Sequence, residues 1–217
     1  MRSLLTTLLI APLLAGCLGS VPPVPRDHYY RLLVPMPPQS AAESPGEASG
    51  AALLPGVMTV EPLLADGLLR ERPLLYSVGG AATELQQHHY HYWNDVPPRM
   101  LQDQMVTYLR RSGAADLVVT PDMRVRADYR VSGRAKRFER LVGDGAPKVA
   151  VEIELAVQRL SDDALLVVDT YAAEETAADD SVGASIEALN AATARAFDAF
   201  LADLRQAALG DTALAPR

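Results

Sequence analysis

The feature that most restricts this chain is the alternation running from Met123 to Lys136. Val125, Ala127, Tyr129, Val131 and Ala135 fall on one side, and Arg124, Arg126, Asp128, Arg130, Arg134 and Lys136 on the other. A period of two over that length excludes a helix and predicts a strand with one buried and one solvated face. The alternation shifts at Arg137-Phe138, which predicts a bulge or bend. Lys148–Leu160 is the expected antiparallel partner, with Val149, Val151, Ile153, Leu155 and Val157 inward and Glu152 and Glu154 outward. Ser161-Asp162-Asp163 is a turn, and Leu165–Tyr171 a further strand.

Other elements follow from local signals. Tyr29-Tyr30-Arg31-Leu32-Leu33-Val34 reads as a first strand and Val57–Glu61 as a second, limited by Pro62. Residues 35–52 are rich in Pro, Ser, Gly and Ala and read as a surface loop. Leu74–Val78 and Thr83–Tyr92 form a hairpin around Gly79-Gly80. A helix then opens, capped by Asn94 or Asp95, with Pro97 and Pro98 in its first turn. Leu101, Met105, Tyr108 and Leu109 share one face of it, and Gly113 ends it. A long helix from about Ser181 to Ala208 presents Val182, Ile186, Leu189, Phe197, Phe200, Leu201 and Leu204 as its apolar stripe. Gly210 and Pro216 mark its end. The expected fold class is α+β: a mostly antiparallel sheet with two main helices packed on one face.

The first residues carry a different message. Arg2 is followed by an apolar run from Leu4 to Leu14 and by small residues, the layout of a secretory signal peptide. Such a run is too short to span a bilayer, which needs about 20 apolar residues. Leu14-Ala15-Gly16-Cys17 resembles the bacterial lipobox, which implies cleavage after residue 16 and a diacylglyceryl group and N-acyl chain on Cys17. No other cofactor is expected. Cys17 is the one cysteine of the chain, so the body has no thiol for disulfide, redox or metal chemistry. Leu18 follows, where retention in the inner membrane commonly uses Asp, so the resemblance implies the periplasmic face of the outer membrane. Pro22, Pro23 and Pro25 make Leu18–His28 an extended tether that reaches about 34 Å at roughly 3.1 Å per residue. The expected organisation is a leader (1–16), lipidated Cys17 with its tether (17–28), one domain (29–209) and a short tail (210–217).

Candidate sites are few. His89 and His91 share a strand face at i, i+2 and would suit zinc or copper, but spacing supplies no third ligand beside His88-His89-Tyr90-His91. A partly exposed strand end is the preferred reading, and no metal site is assigned. Seven cations lie between Arg124 and Arg140 (Arg124, Arg126, Arg130, Arg134, Lys136, Arg137, Arg140). They suit either lipid phosphates or an acidic partner, with Arg124, Arg126, Arg130 and Arg134 as the candidate face, or cross-strand pairing with Glu152 and Glu154, which alternation favours. The formal charge of −7 and the export signal argue against nucleic acid. Trp93, with Tyr90 and Tyr92, reads as a lock between a strand end and a helix, in preference to a ligand platform. The motifs of serine hydrolases, zinc proteases and P-loop enzymes are missing from the sequence, so the expectation is a non-catalytic protein.

The Tyr30-x-Leu32 strand, the Leu75-Tyr76 strand, Trp93 with Pro97 opening a helix, Phe138-Glu139 closing the basic strand and an Ala-rich last helix resemble the ABC-type transport auxiliary lipoproteins. Ser77 departs from the basic residue usual there, and the 35–52 loop is long. The resemblance implies a subunit that accompanies a permease, an ATPase and a periplasmic mammalian-cell-entry-domain protein. Such systems move phospholipid or other hydrophobic molecules between the two membranes. The implied role is to dock the periplasmic component at the outer membrane, in a homo-oligomeric ring in some family members. The alternative is an envelope lipoprotein that itself carries a lipid or assists outer-membrane assembly, which would require an apolar cavity.

Overall fold

The computed structural model describes residues 25–37, 52–79, 83–143 and 145–214. Leu14, Ala15, Gly16, Cys17, most of the tether, most of the 35–52 loop and Gly80 lie outside these residues. The described residues form nine strands: β1 (His28–Tyr30), β2 (Leu54–Val60), β3 (Leu64–Ala65), β4 (Pro73–Val78), β5 (Leu85–Trp93), β6 (Ala115–Val119), β7 (Tyr129–Val142), β8 (Lys148–Arg159) and β9 (Leu165–Thr176). Two α-helices accompany them, α1 (Pro97–Arg111) and α2 (Val182–Leu214).

The sheet is built around β7. Its whole length pairs antiparallel with β8, which pairs antiparallel with β9. Three short strands lie end to end along its other edge, all parallel to it: β2 against Tyr129–Val131, β3 against Arg134–Ala135 and β4 against Glu139–Val142. A 3-10 turn at Gly67–Arg70 takes up the slack between β3 and β4. Each end of this seam extends outward, through β6 parallel to β2, and through β5 antiparallel to β4 with β1 parallel to β5.

Of the eight strand pairings, five are parallel and three antiparallel. The sheet is therefore mixed, and the expectation of a mostly antiparallel sheet is corrected. The hairpins β4–β5 and β8–β9 were marked by turn residues and β7–β8 by matched alternation, whereas parallel pairing joins segments separated by crossovers and leaves no local sign.

Alternation holds where β7 is a strand. Tyr129, Val131 and Ala135 are buried, and so are all five inward positions expected on β8. Before Tyr129 it fails: Pro121–Met123 form a 3-10 turn, Arg124 has φ 53°, and Val125 is exposed. Asp128 ends the irregular stretch by clamping β2. Its Oδ2 accepts from the Val57 N–H at 2.8 Å, and its own N–H donates to the Val57 carbonyl at 2.8 Å. The expected irregularity near Arg137 is a register shift between Ala135 and Arg137 that leaves Lys136 unmatched on β8. It shifts the inward phase to Phe138 and Arg140, and Glu139 between them is buried as well.

The first expected strand is cut short. After Tyr30 the chain leaves the sheet and passes the helices, where Asn190 Oδ1 accepts the Leu33 N–H and Gln104 Oε1 the Val34 N–H, both at 3.0 Å. These side chains satisfy backbone donors that a sheet neighbour would otherwise hold, and Leu32 and Val34 are buried.

Helix α1 begins after Val96, without a side-chain cap, and Pro97 and Pro98 form its first turn. Asp95 Oδ1 accepts the Val96 N–H instead of capping the helix. Gly113, at φ 65°, follows the helix end. Ser181 caps α2 by accepting the Ala184 N–H at 3.0 Å. Helix α2 continues through Gly210 to Leu214, so glycine does not stop it.

Both helices bury their stripes in one core with the inward face of the sheet. Ring contacts run through this core: Trp93 of β5 with Phe138 of β7, Tyr108 of α1 with Phe197 of α2, and Tyr171 of β9 with Phe200 of α2, at centroid distances of 5.2, 5.4 and 5.6 Å. Tyr108 and Tyr171 also donate to Asp198 and Asp203 on α2, which ties the helix to α1 and to β9. Burial, followed by these carboxylate bonds, raises both phenol pKa values, so the donors stay protonated.

Candidate functional surface

The face of β7 and β8 away from the helices carries most of the predicted cations, and nearly all have partners. Arg130 Nε lies 3.6 Å from Glu61, Arg134 contacts Asp66, and Lys136 Nζ lies 2.9 Å from Glu154. Arg137 Nη2 lies 2.8 Å from Glu139. The Glu154 bond raises the Lys136 pKa. Of the expected acidic partners, Glu154 is engaged by Lys136. The carboxylates that meet Arg130 and Arg134 come instead from the end of β2 and the turn after β3. No spacing signal connects those segments, because they meet β7 only through the parallel seam.

Gly133 makes this packing feasible. A Cβ there would collide with the backbone carbonyl of Glu154 and lie 2.8 Å from Leu155. A groove on the open face is lined by Pro62, Leu64, Gly133, Ala156 and Val168 and by Glu61, Arg134 and Glu154.

Arg124 and Arg126 are placed elsewhere. They sit in the loop between β6 and β7, both exposed, and among the described residues neither guanidinium has a hydrogen-bond or ion-pair partner. The four arginines predicted as one face are thus two engaged on the sheet and two unengaged on a loop.

A second cluster forms on the β1–β5–β4 arm. Tyr90 has φ 64°, and Leu74 alone of β4 faces His88–His91 of β5. This wide bulge breaks the i, i+2 alternation, so His88 and His91 come together, with rings 5.8 Å apart, while His89 is exposed. His28 stacks on His91 at 5.1 Å, and Tyr76 lies against His88 at 4.6 Å. Arg140, nearly wholly buried, donates from Nη1 to His88 Nε2 at 3.1 Å and from Nη2 to the Asp180 carbonyl at 3.0 Å. Burial first, then the Arg140 charge, pushes His88 down to about 4. Burial also lowers His91 and raises Tyr30, and the Tyr30 hydroxyl and His91 Nδ1 share a hydrogen bond of 2.9 Å. The cluster gathers His88 and His91, both held below the ordinary imidazole range, beside one buried guanidinium. Among the described residues no group of three or more His, Cys, Asp or Glu is arranged to hold a metal ion.

Trp93 lies at the end of β5, buried against Phe138. No described helix is long and apolar enough to cross a membrane.

Comparison with known proteins adds what geometry does not give. The model of the family "ABC-type transport auxiliary lipoprotein component" matches residues 30–199. Among solved structures, the chain is similar to protein XCC0632 from Xanthomonas campestris, family-model DUF330. The TM-score is 0.70 at 18% identity, over 85% of this chain and 99% of that one. It is also similar to an uncharacterized protein of solved structure, with a TM-score of 0.55 at 11% identity, over 88% of this chain and 100% of that one. At such identities these likenesses establish the fold. No curated protein matches the sequence.

Proposed function

This chain belongs to the ABC-type transport auxiliary lipoprotein family, and we propose that it serves such a system as a non-catalytic docking subunit. In this reading Cys17 is acylated and holds the body at the periplasmic face of the outer membrane. The docked component is a periplasmic mammalian-cell-entry-domain protein, and the permease and ATPase of the same system drive movement of phospholipid or another hydrophobic molecule.

The observation that carries the reading is the family match over 30–199, which spans nearly the whole packed body from β1 into α2. The lipobox resemblance at Leu14–Cys17 supplies the anchor. One feature of the packing supports docking over lipid carriage: the helix–sheet interface is filled by Trp93, Phe138, Phe197 and Phe200. A carrier would instead need an apolar cavity between its layers.

The test is affinity purification of the acylated chain from cross-linked envelopes. Recovery of a mammalian-cell-entry-domain protein, and loss of outer-membrane fractionation on Cys17→Ala, are the expected results. Absence of that protein from the cross-linked material, with outer-membrane permeability unchanged on deletion of the chain, would overturn the proposal.

A further inference from the structure

His28 of β1, His88 and His91 of β5 and Arg140 of β7 form one chain of contacts. Ring centroids lie 5.1 Å apart for His28 and His91 and 5.8 Å apart for His88 and His91, and Arg140 Nη1 is 3.1 Å from His88. Tyr30 of β1 meets His91 through its hydroxyl, and Tyr76 of β4 lies against His88. Glu84 reaches the cluster only through Gln86, which holds the Tyr76 hydroxyl. Before α2, Asp180 gives Arg140 its carbonyl and acts on it by charge, and Asp179 is turned to the Ser181 N–H. Asp27 is bound by Tyr29, on the flank that carries Tyr92 and Arg72. Arg26 and Arg31, both exposed, stand at either end of β1, and His89 is exposed on β5. The charges that act on His88 are those of Arg140, His91 and His89, and on His91 those of His28 and Arg140. Each is a cation or becomes one, so a proton taken up here meets repulsion.

The element able to yield is β1. It has three residues and one sheet neighbour, pairing His28, Tyr29 and Tyr30 with His91, Tyr92 and Trp93. Beyond those pairs and their ring contacts, it is tied by the Asn94 N–H, which donates to the Tyr30 carbonyl at 2.8 Å, and by the Tyr30–His91 bond. A short edge strand held this way opens at far lower cost than the core. Just past it the chain is fastened independently, by buried Leu32 and Val34 and by Asn190 and Gln104. Opening therefore stops at Arg31 and leaves the rest of the domain intact.

We propose that β1 is an acid-released latch: protonation of His28 and His91 beside Arg140 detaches it from β5 while the rest of the domain stays folded. The latched arrangement holds the His91 imidazole below its ordinary range, by burial first and then by His28 and Arg140. Release returns it to that range, so opening takes up protons and is favoured as the pH falls below about 6.5. His88 stays on β5 and remains neutral until the pH nears 4. The strand β1 is also where the segment from Cys17 to His28 joins the domain. Freeing His28–Arg31 lengthens that tether by about 12 Å at roughly 3.1 Å per residue. The acidified protein thus has a longer reach from its amino end. The latch is a property of the folded domain and depends neither on the docking reading nor on acylation of Cys17.

The buried apolar residues run from Leu32 to Ala208, so a chain starting at residue 17 retains the whole core. It carries one tryptophan, Trp93 beside β1, and one cysteine, Cys17. Energy transfer from Trp93 to a thiol-linked acceptor on Cys17 therefore follows the latch, and should fall between pH 7 and pH 5. Protection of the Asn94 amide, corrected for intrinsic exchange, should fall up to about tenfold per pH unit for each proton taken up. The Ile153 amide, on β8 between β7 and β9, should keep its protection. His28→Gln with His91→Gln should hold both readouts level across the range. Equal loss of protection at Asn94 and Ile153 overturns the proposal, because the domain is then unfolding as a whole. So does a double variant that responds to acid as the wild type does. If the double variant is already open at pH 7, the imidazole proton resonances of His28 and His91 in the wild type decide. Their titration must coincide with the loss of Asn94 protection, and a midpoint displaced from it by about one pH unit or more overturns the latch.

Discussion

Removing the titration of His88 should flatten the acid sensitivity of this protein. The folded state holds the imidazole at about 4, because it is half-buried and its Nε2 accepts from Arg140. Unfolding releases it to the ordinary 6.5. A histidine with a lowered folded pKa favours the native state while neutral. Its contribution is complete above pH 6.5 and disappears as the pH falls toward 4. At pH 5 the full gap corresponds to about 2 kcal/mol of lost stability. The ring keeps contact with water, so we halve that to about 1 kcal/mol. His88→Gln keeps an acceptor for Arg140 and does not titrate. Urea unfolding of both proteins at pH 7 and pH 5 is the assay, in a window above most carboxylate titration. Wild type should lose about 1 kcal/mol more than the variant between the two pH values. Parallel losses would refute the reasoning, as would an imidazole proton resonance for His88 that titrates near 6.5.

Two further expectations concern β7. Gly133→Val should destabilise by about 2 kcal/mol, because its Cβ meets the Glu154 carbonyl and strand backbones cannot give way as side chains do; an unchanged urea midpoint would count against the close approach. Asp66→Asn should cost no more than about 0.5 kcal/mol by the same measure, since the Asp66 side chain is 82% exposed and its pair with Arg134 is screened by water. A loss above about 2 kcal/mol would show that the ion pair holds the seam together.

What was legible in the sequence was what neighbouring residues decide. The pairing of β7 with β8, the inward set of β8, that of β7 from Tyr129 onward, an irregularity near Arg137 and the helix started by Pro97-Pro98 were readable from period and local chemistry. Parallel pairing was not, because β2, β3 and β4 find β7 roughly seventy residues downstream, through sheet geometry rather than through any motif. The same cause hid Glu61 and Asp66 as partners of Arg130 and Arg134. The alternation from Met123 to Asp128 misled for a different reason: the Asp128 carboxylate takes the backbone bond a strand neighbour would have held. His89 and His91 lost their shared face to the φ of Tyr90, which nothing in the run of aromatic residues from His88 to Trp93 announces.

The end-to-end arrangement along β7 also has a temporal meaning. Both strands that flank β2, which are β6 and β7, come later in the chain. The strand beside β3 is β7 alone. In a polypeptide delivered from its amino end, Leu54–Ala65 emerges early and has no sheet partner until Ala115–Ala135 has followed. Until then its ladder groups are served by water, and its apolar side chains stand bare. Completion of the native sheet therefore depends on the middle of the chain reaching the same compartment as its beginning.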